Sequence, residues 1–401
     1  MEAKGGGKVQ MKFKRVLAII LSCVLLSGCW DKVEIDRLNF ISAIAIDPGE
    51  DIEKEKELKN INSKDSFVEG QIKKINVTYG FPDISMLGPG KSGSAQEKYI
   101  NTQAYSMEDA SSEAMAKSSR DIYMGHSKLL ILSSDLLEYK DTVKEIVDYL
   151  QRNPNINRMM DIVVSEGKAE DYIKFKPMTE NSTTYYISGL MANSKRNSRI
   201  MSINLNEFLI LLSENGNVLL PRITLDKEKN ELILNGAAII KNYELSGYFT
   251  PLELLNVQLL SDKFNIGKKV IYNDGHPVDY IISGYERKIK VEEEGNKLVI
   301  NINLNLEGQI NGYYVDKKIL GKEELKNLQN TFNNSISEEC EKVMQIAKGE
   351  FEIDPFGVRE HIEKFNPHLW NKIKKEWADK YKNATVKVNV NTEIRRVGAV
   401  Q

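Results

Sequence analysis

Cysteine and histidine are scarce in this 401-residue chain, with three of the first and four of the second. Three thiols, at positions 23, 29 and 340, cannot build a disulfide framework or a thiolate metal cluster. His126, His276, His361 and His368 show no H-E-x-x-H or H-x-H spacing, so neither a metal nor a cofactor is expected. A G-x-S-x-G nucleophile elbow is missing, and nothing near Cys340 in the sequence would serve as its activating base. Carboxylates are plentiful but scattered, and none stands out as a general acid. No enzymatic activity is expected. Basic excess is missing too, since 55 Lys+Arg stand against 57 Asp+Glu. Nucleic acid is therefore an unexpected partner, and the pair Arg395-Arg396 is too short for a basic patch.

What is present begins at the N-terminus. Lys12, Lys14 and Arg15 precede Val16 to Leu26, an uncharged run of eleven residues. That is the length of a signal h-region and far short of the roughly 20 residues of a bilayer-spanning helix. Leu26-Ser27-Gly28-Cys29 follows, small residues leading into a cysteine. Charge, run length, small residues and thiol in this order read as a lipoprotein signal peptide over 1–28, with Cys29 acylated and made the new N-terminus. Cleavage leaves 50 basic and 56 acidic residues, a net charge of −6. The mature body would be held at a membrane by lipid and not by its own overall charge.

The length suggests two or three domains, and the remainder reads as α+β, with strands and helices that make sheets covered by helices. The units are 29–200 with its linker, 201–288, and 289–401. In the first, Phe40–Pro48 and Ile75–Tyr79 read as strands, and 50–70 as a charged excursion. Ser106 and Asp109 have capping-box spacing before a helix with a small-residue face that runs to about Tyr123. His126–Ser133 and Met159–Ser165 are strands around a helix from about Asp135 to Leu150. Residues 176–204, rich in Asn, Ser, Thr, Lys and Arg, read as an interdomain segment. The middle unit has strands at Val218–Ile223 and Leu232–Ile240 and a helix over Leu252–Leu260. In the last unit, a turn at Glu293–Asn296 joins Ile289–Glu292 to Leu298–Leu306. There Ile300, Ile302 and Leu304 alternate with Asn301, Asn303 and Asn305, the pattern of a sheet with one wet face. From about Lys322 to Lys348, Leu325, Leu328, Phe332, Ile336, Cys340, Val343 and Ala347 recur at helical steps, so Cys340 is expected to be buried and inert. Trp370 and Trp377 fall on a further helical stretch. The closing strand alternates Val386, Val388, Val390, Thr392 and Ile394 with polar residues.

One stretch imitates a nucleotide site. SMLGPGKSG, residues 85–93, carries Gly-Lys-Ser, but a Walker loop needs glycine five places before Gly90, where Ser85 stands. Pro89 also removes a main-chain N–H that a phosphate nest would donate. A surface loop accounts for the same letters. Asp354-Pro355-Phe356-Gly357 reads as a turn, since an EF-hand needs oxygen ligands at alternating places that are missing.

The opening CWDKVEIDRLNFISAIAID, then GHSKLLILS (125–133), NGAAIIKNYELSGYFTPLE (235–253), EIDPFGVREHIEKFNPHLWNKIKKEW and VKVNVNTEIRRVG together resemble the Ger(x)C lipoprotein family, the C subunits of spore germinant receptors. Gly236-Ala237-Ala238-Ile239-Ile240 stands where that family commonly has Gly-Thr-Ala-Val-Phe. The resemblance implies three mixed α/β domains and a place on the outer face of the spore's inner membrane. It also implies A-type and B-type polytopic subunits as partners, with membrane lipid held through acylated Cys29. Its function would be non-catalytic, a subunit required for the response to small nutrient germinants. The alternative is an extracytoplasmic solute-binding lipoprotein that works with a transporter.

Overall fold

The computed structural model describes residues 37–60, 72–83, 96–226, 228–273, 275–313 and 321–398. Its larger sheet has eight strands. In chain order the first strands are β1 (Leu38–Phe40), β2 (Ala43–Pro48), β3 (Ile75–Pro82), β4 (Glu97–Ala104), β5 (Asp121–Tyr123), β6 (Leu129–Ser133) and β7 (Asp161–Ser165). β8 (Asn217–Asp226), β9 (Glu231–Lys241) and β10 (Glu244–Phe249) follow. The sheet order is β10-β9-β8-β7-β6-β2-β3-β4, while β1 and β5 pair apart from it. β2, β6, β7 and β8 are parallel neighbours at its centre, which explains their unbroken apolar letters: a strand covered on both faces has no wet side to mark.

Two-residue alternation divides those letters between the faces. Ile44, Ile46, Leu130, Leu132, Ile162 and Val164 pack with α1 (Met107–Ala116), α2 (Lys140–Arg152) and α5 (Leu205–Asn215). Ala43, Ala45, Leu129, Ile131 and Val163 pack with α3 (Ala169–Ile173) and α4 (Thr183–Ala192). Ala110 and Ala114 of α1 are fully buried, so its small-residue face does let it lie close to the sheet.

Several elements differ from the sequence reading. α1 stops at Ala116, because residues 121–123 are drawn off to pair with β1, and Ser118 Oγ accepts from Arg120 N at 3.0 Å. The polar segment 176–204 contains α4, started by Ser182, whose hydroxyl accepts from Tyr185 N. The expected boundary at 200/201 falls between β7 and β8. Those strands pair through Val164↔Arg222 and Ser165↔Ile223.

Asp47 closes β2 and starts α3: its carboxylate accepts from Ala169 N at 2.7 Å and Glu170 N at 2.9 Å. Burial pushes this carboxyl up to about 6, against the pull of those two N–H groups. The folded state therefore holds the proton more tightly than the unfolded chain, and stability from this group rises as pH falls from about 7 toward 4. Measured from an ordinary aspartate carboxyl, the rise to about 6 corresponds to about 3 kcal/mol. Asp47→Asn cannot titrate. In urea unfolding across that range, the wild type is expected to gain up to about 3 kcal/mol on the variant as pH drops; a difference independent of pH would refute this.

The second sheet has four strands in the order β11-β12-β13-β14, namely β11 (Gly267–Asn273), β12 (His276–Glu294), β13 (Lys297–Tyr313) and β14 (Thr385–Val397). The expected boundary at 288/289 falls inside β12. Leu298, Ile300, Ile302, Leu304 and Leu306 are buried on the inner face, as the alternation requires. Parallel pairing of β13 with β14 needs a crossover. Four helices supply it: α7 (Lys322–Gln345), α8 (Val358–Phe365), α9 (Pro367–Ile373) and α10 (Trp377–Lys382). α7 lays Leu328, Phe332, Ile336, Cys340 and Val343 on the sheet and ends in a π-helical turn, Ile346–Glu350. Trp370 and Trp377 meet edge to face at 5.8 Å.

α6 (Pro251–Leu260) joins the two sheets. A reciprocal capping box of Thr250 and Glu253 starts it. Every residue from Leu254 to Leu260 is buried, as in a helix covered on all sides. Leu255, Val257, Leu259 and Leu260 belong to the same core as Ile239 and Phe249 of the first sheet and Tyr280 and Ile300 of the second.

Candidate functional site

The residues singled out by sequence do not converge. Cys29 and the loop 85–93 lie outside the described residues. His126 packs against Phe40 and Tyr123, with ring centres 5.4 and 5.5 Å away, while His361 packs against Phe365 at 4.8 Å. Among the described residues no three His, Cys, Asp or Glu side chains gather to hold a metal ion. Cys340 is fully buried, and burial pushes its thiol up to about 12, so it carries no thiolate nucleophile at neutral pH.

Two adjoining concavities lie instead at the seam between the sheets. A cavity of about 240 Å³ is enclosed by α5 and the start of β8 on one side, and by α6 and the Asp354–Gly357 turn on the other. A cleft of about 400 Å³ adjoins it, with Gly216, Asn217, Lys241 and Asn242 facing Glu352, Arg359 and α10. Asn215, Asn217, Asp354 and Glu360 border both.

Main-chain capping sets the far wall. Asp354 accepts from Phe356 N and Val358 N at 3.2 Å and from Arg359 N at 2.8 Å, so its carboxylate organises the first turn of α8. Burial raises the pKa of this carboxyl, and the three N–H groups offset part of the rise. Gly357 takes φ +72° at that turn, which favours glycine. Arg359 then reaches across the seam: its Nη1 donates to Glu214 O at 2.8 Å and Asn215 Oδ1 at 3.1 Å. Asn215 answers by donating to Glu360 Oε1 at 3.1 Å. At the other lip, Lys241 donates to Phe351 O at 3.0 Å and to Glu352 Oε2 at 3.2 Å. Lys382 and Lys241 beside Glu352 hold its carboxyl below the usual range.

Behind the cleft, Lys348 on the π-helical turn is buried and donates to Ala384 O at 2.6 Å and Lys382 O at 3.1 Å. Burial lowers its pKa. A second buried cation, Lys269 of β11, donates to Asn256 Oδ1 of α6 at 2.5 Å and to Glu339 of α7. These lysines fasten elements to each other.

Sequence reading passed over this seam. Its residues come from positions 215, 241, 354 and 359, and no spacing rule joins them. The one local cue was Asp354-Pro355-Phe356-Gly357, legible as a turn but not as a helix start that also carries Arg359.

Chemically, the seam offers charged and amide groups already paired with one another, and it shows no nucleophile beside a base. Such an arrangement suits recognition and coupling between units rather than bond making. Two welded α+β sheets with this seam describe an assembly or receptor module.

Comparison with known proteins identifies which module. Residues 31–225 match the family described as "Spore germination protein N-terminal domain", and residues 235–398 match "Spore germination B3/ GerAC like, C-terminal". Spore germination protein YndF of Bacillus subtilis (strain 168) is 25% identical over 414 residues, covering 98% of this chain and 100% of that protein. Spore germination protein B3 of the same organism is 24% identical over 400 residues, covering 98% of this chain and 99% of B3. The crystal structure of the GerBC protein superposes with a TM-score of 0.58 at 18% identity, covering 84% of this chain and 100% of that one, which establishes a shared fold. The chain belongs to the GerAC/GerBC-like spore germination protein family, as a member of the C-subunit type. Membership places it among the germinant-receptor proteins, and homology supports partnership with other receptor subunits.

Proposed function

We propose that the mature chain is the lipid-anchored C subunit of a nutrient germinant receptor, held on the outer face of the spore's inner membrane by acylated Cys29. Polytopic A-type and B-type subunits are its partners, and it is required for the response to small germinants. The observation that carries this reading is one of order. The run Leu26-Ser27-Gly28-Cys29 ends two residues before the first family match begins at residue 31. Among the described residues no helix is long and apolar enough to cross a membrane, so the anchor is assigned to the cysteine. The test is co-purification of the tagged chain from spore inner membranes with mass spectrometry. Two polytopic subunits in stable proportion are expected; recovery of the chain with a transporter would overturn the assignment.

The cavity at the seam supports a second reading, the solute-binding lipoprotein. At about 240 Å³ it has the volume of a small solute. Titration calorimetry of the chain against amino acids and sugars separates the two, since micromolar binding by this chain alone favours the second.

The division into 29–200, 201–288 and 289–401 is likewise our proposal, with its second boundary to be moved before β12, since 288/289 cuts that strand. Its first seam is supported by β7 and β8, which share two paired positions, whereas β8 and β9 share nine.

A further inference from the structure

We propose that one end of the eight-stranded sheet, where β2, β6 and β7 begin, rests on the headgroups of an anionic phospholipid bilayer. Three main-chain bonds draw the line of this end: Ser42 N to Gly80 O at 2.8 Å, Lys128 N to Ser42 O at 2.8 Å, and Asp161 N to Lys128 O at 2.8 Å. The chain enters the described structure here, since Arg37 precedes β1, and β1 leads into β2. Eight peptide steps separate Cys29 from Arg37, which reach at most roughly 29 Å when fully extended. This inference rests on the acylated-Cys29 reading, and given that reading the tether holds Arg37, five residues before Ser42, within that distance of the membrane.

The surface at this end has the chemistry of a headgroup contact. Arg37 is exposed. Lys128 Nζ donates to the neutral Tyr185 hydroxyl at 3.0 Å and lies 4.3 Å from the centre of that ring. Arg158 Nη2 donates to the Gln151 carbonyl. Neither contact neutralises the cation it holds. Beside them stand two large apolar side chains turned to solvent, Met159 at 69% exposure and Tyr185 at 58%. Asn157 Nδ2 to Ser127 O, at 2.8 Å, keeps the Met159 loop against the start of β6. A tyrosine and a thioether among unneutralised cations match the boundary between headgroups and acyl chains, where amphipathic rings sit and basic groups meet lipid phosphate. The body as a whole is acidic, so the rest of its surface is repelled by the same lipid and the chain is oriented.

The opposite end supplies the control. By the register Val164↔Arg222, β8 runs about seven residues, roughly 23 Å, beyond the level of Asp161 to the turn before β9, and that turn carries the exposed Lys229. The experiment uses the full acylated chain in vesicles of phosphatidylglycerol and phosphatidylcholine doped with a nickel-chelating lipid. Single nitroxide labels are placed through Met159→Cys, Tyr185→Cys or Lys229→Cys; buried Cys340 stays unlabelled. Relaxation enhancement by headgroup nickel is expected to be at least threefold greater at positions 159 and 185 than at 229. The further pair Lys128→Glu and Arg158→Glu should cut that excess by half or more, and raising the salt concentration should weaken it.

The intact mass of the chain is read on the same sample. If Cys29 carries acyl chains and labels at 159 and 185 are no nearer the lipid than at 229, this inference falls while the anchor stands. If Cys29 is unmodified, both fall. Immobilisation of those labels by added polytopic subunits, with loss of the nickel effect, would assign the face to protein and overturn the lipid proposal.

Discussion

Replacing Cys29 by alanine is expected to move the chain almost wholly from the membrane pellet to the soluble fraction, and to abolish nutrient-triggered germination in spores that carry the variant. The size of the effect follows from what else could hold the chain. The apolar run Val16 to Leu26 is too short to span, and no helix among the described residues can do so. The mature body is acidic and gains nothing from its overall charge at an anionic surface. One acyl chain binds only marginally, whereas two or more anchor stably; removing them removes nearly all of the association. The basic end described above would leave a residual attachment that disappears at high salt, which distinguishes it from the lipid anchor. A Cys29→Ala chain that still sedimented with membranes at high salt and still supported germination would end the anchored-subunit account.

Where side-chain periodicity sets the structure, the sequence is readable. β6 is a run of five buried residues, β13 alternates, and α7 repeats at three and four, because each packs a regular face against a continuous core. Legibility fails where tertiary contacts override the local pattern. α4 hides in a stretch of Ser, Thr and Asn because Ile187 and Met191 are its only large apolar residues in the buried core. β11, the edge strand of its sheet, carries Lys268 and Lys269, and its buried amine is satisfied by Glu339 and Asn256, seventy and thirteen residues away. β12 is read only over Ile289–Glu292, in its charged half, where Lys288 pairs with Glu286 and Lys290 with Glu292; its first half, with Val278, Tyr280 and Ile282 buried on alternate positions, goes unread.

The site is less legible than the fold for the same reason. Arg359 and Asn215 meet across 144 residues, and Lys241 and Glu352 across 111. No local rule links such pairs, and side chains that face each other across a seam leave no period in either strand or helix. The proposed anchor differs in kind: charge, apolar length and cysteine lie consecutively, so the reading draws on one short segment, and Cys29 lies outside the described residues.

Gly236→Ala is expected to destabilise the protein by roughly 3 kcal/mol or more, the larger part from overlap with neighbouring backbone. Gly236 lies in β9 at φ +78°, opposite the irregular register where β8 passes from Pro221 to Ile223. A Cβ there would collide with the carbonyl oxygen of Phe249 and come within 3.0 Å of the Thr250 carbonyl carbon. Those are main-chain atoms at the end of β10, fixed on both sides. Phe249 is fully buried and meets Phe351 edge to face at 5.8 Å, while Thr250 caps α6. Relief would therefore have to move the β10–α6 junction that joins the two sheets. Gly295→Ala provides the comparison, since Gly295 has φ +64° in the β12–β13 turn but no atom within 4 Å of its Cβ position. It bears the cost of the left-handed backbone alone, about 1 kcal/mol. In thermal unfolding the Gly236 variant should melt several degrees below the Gly295 variant, and its loss should appear at the α6 junction in hydrogen exchange. Equal losses at the two positions would mean that the junction yields freely, and that the sheets are not coupled through it.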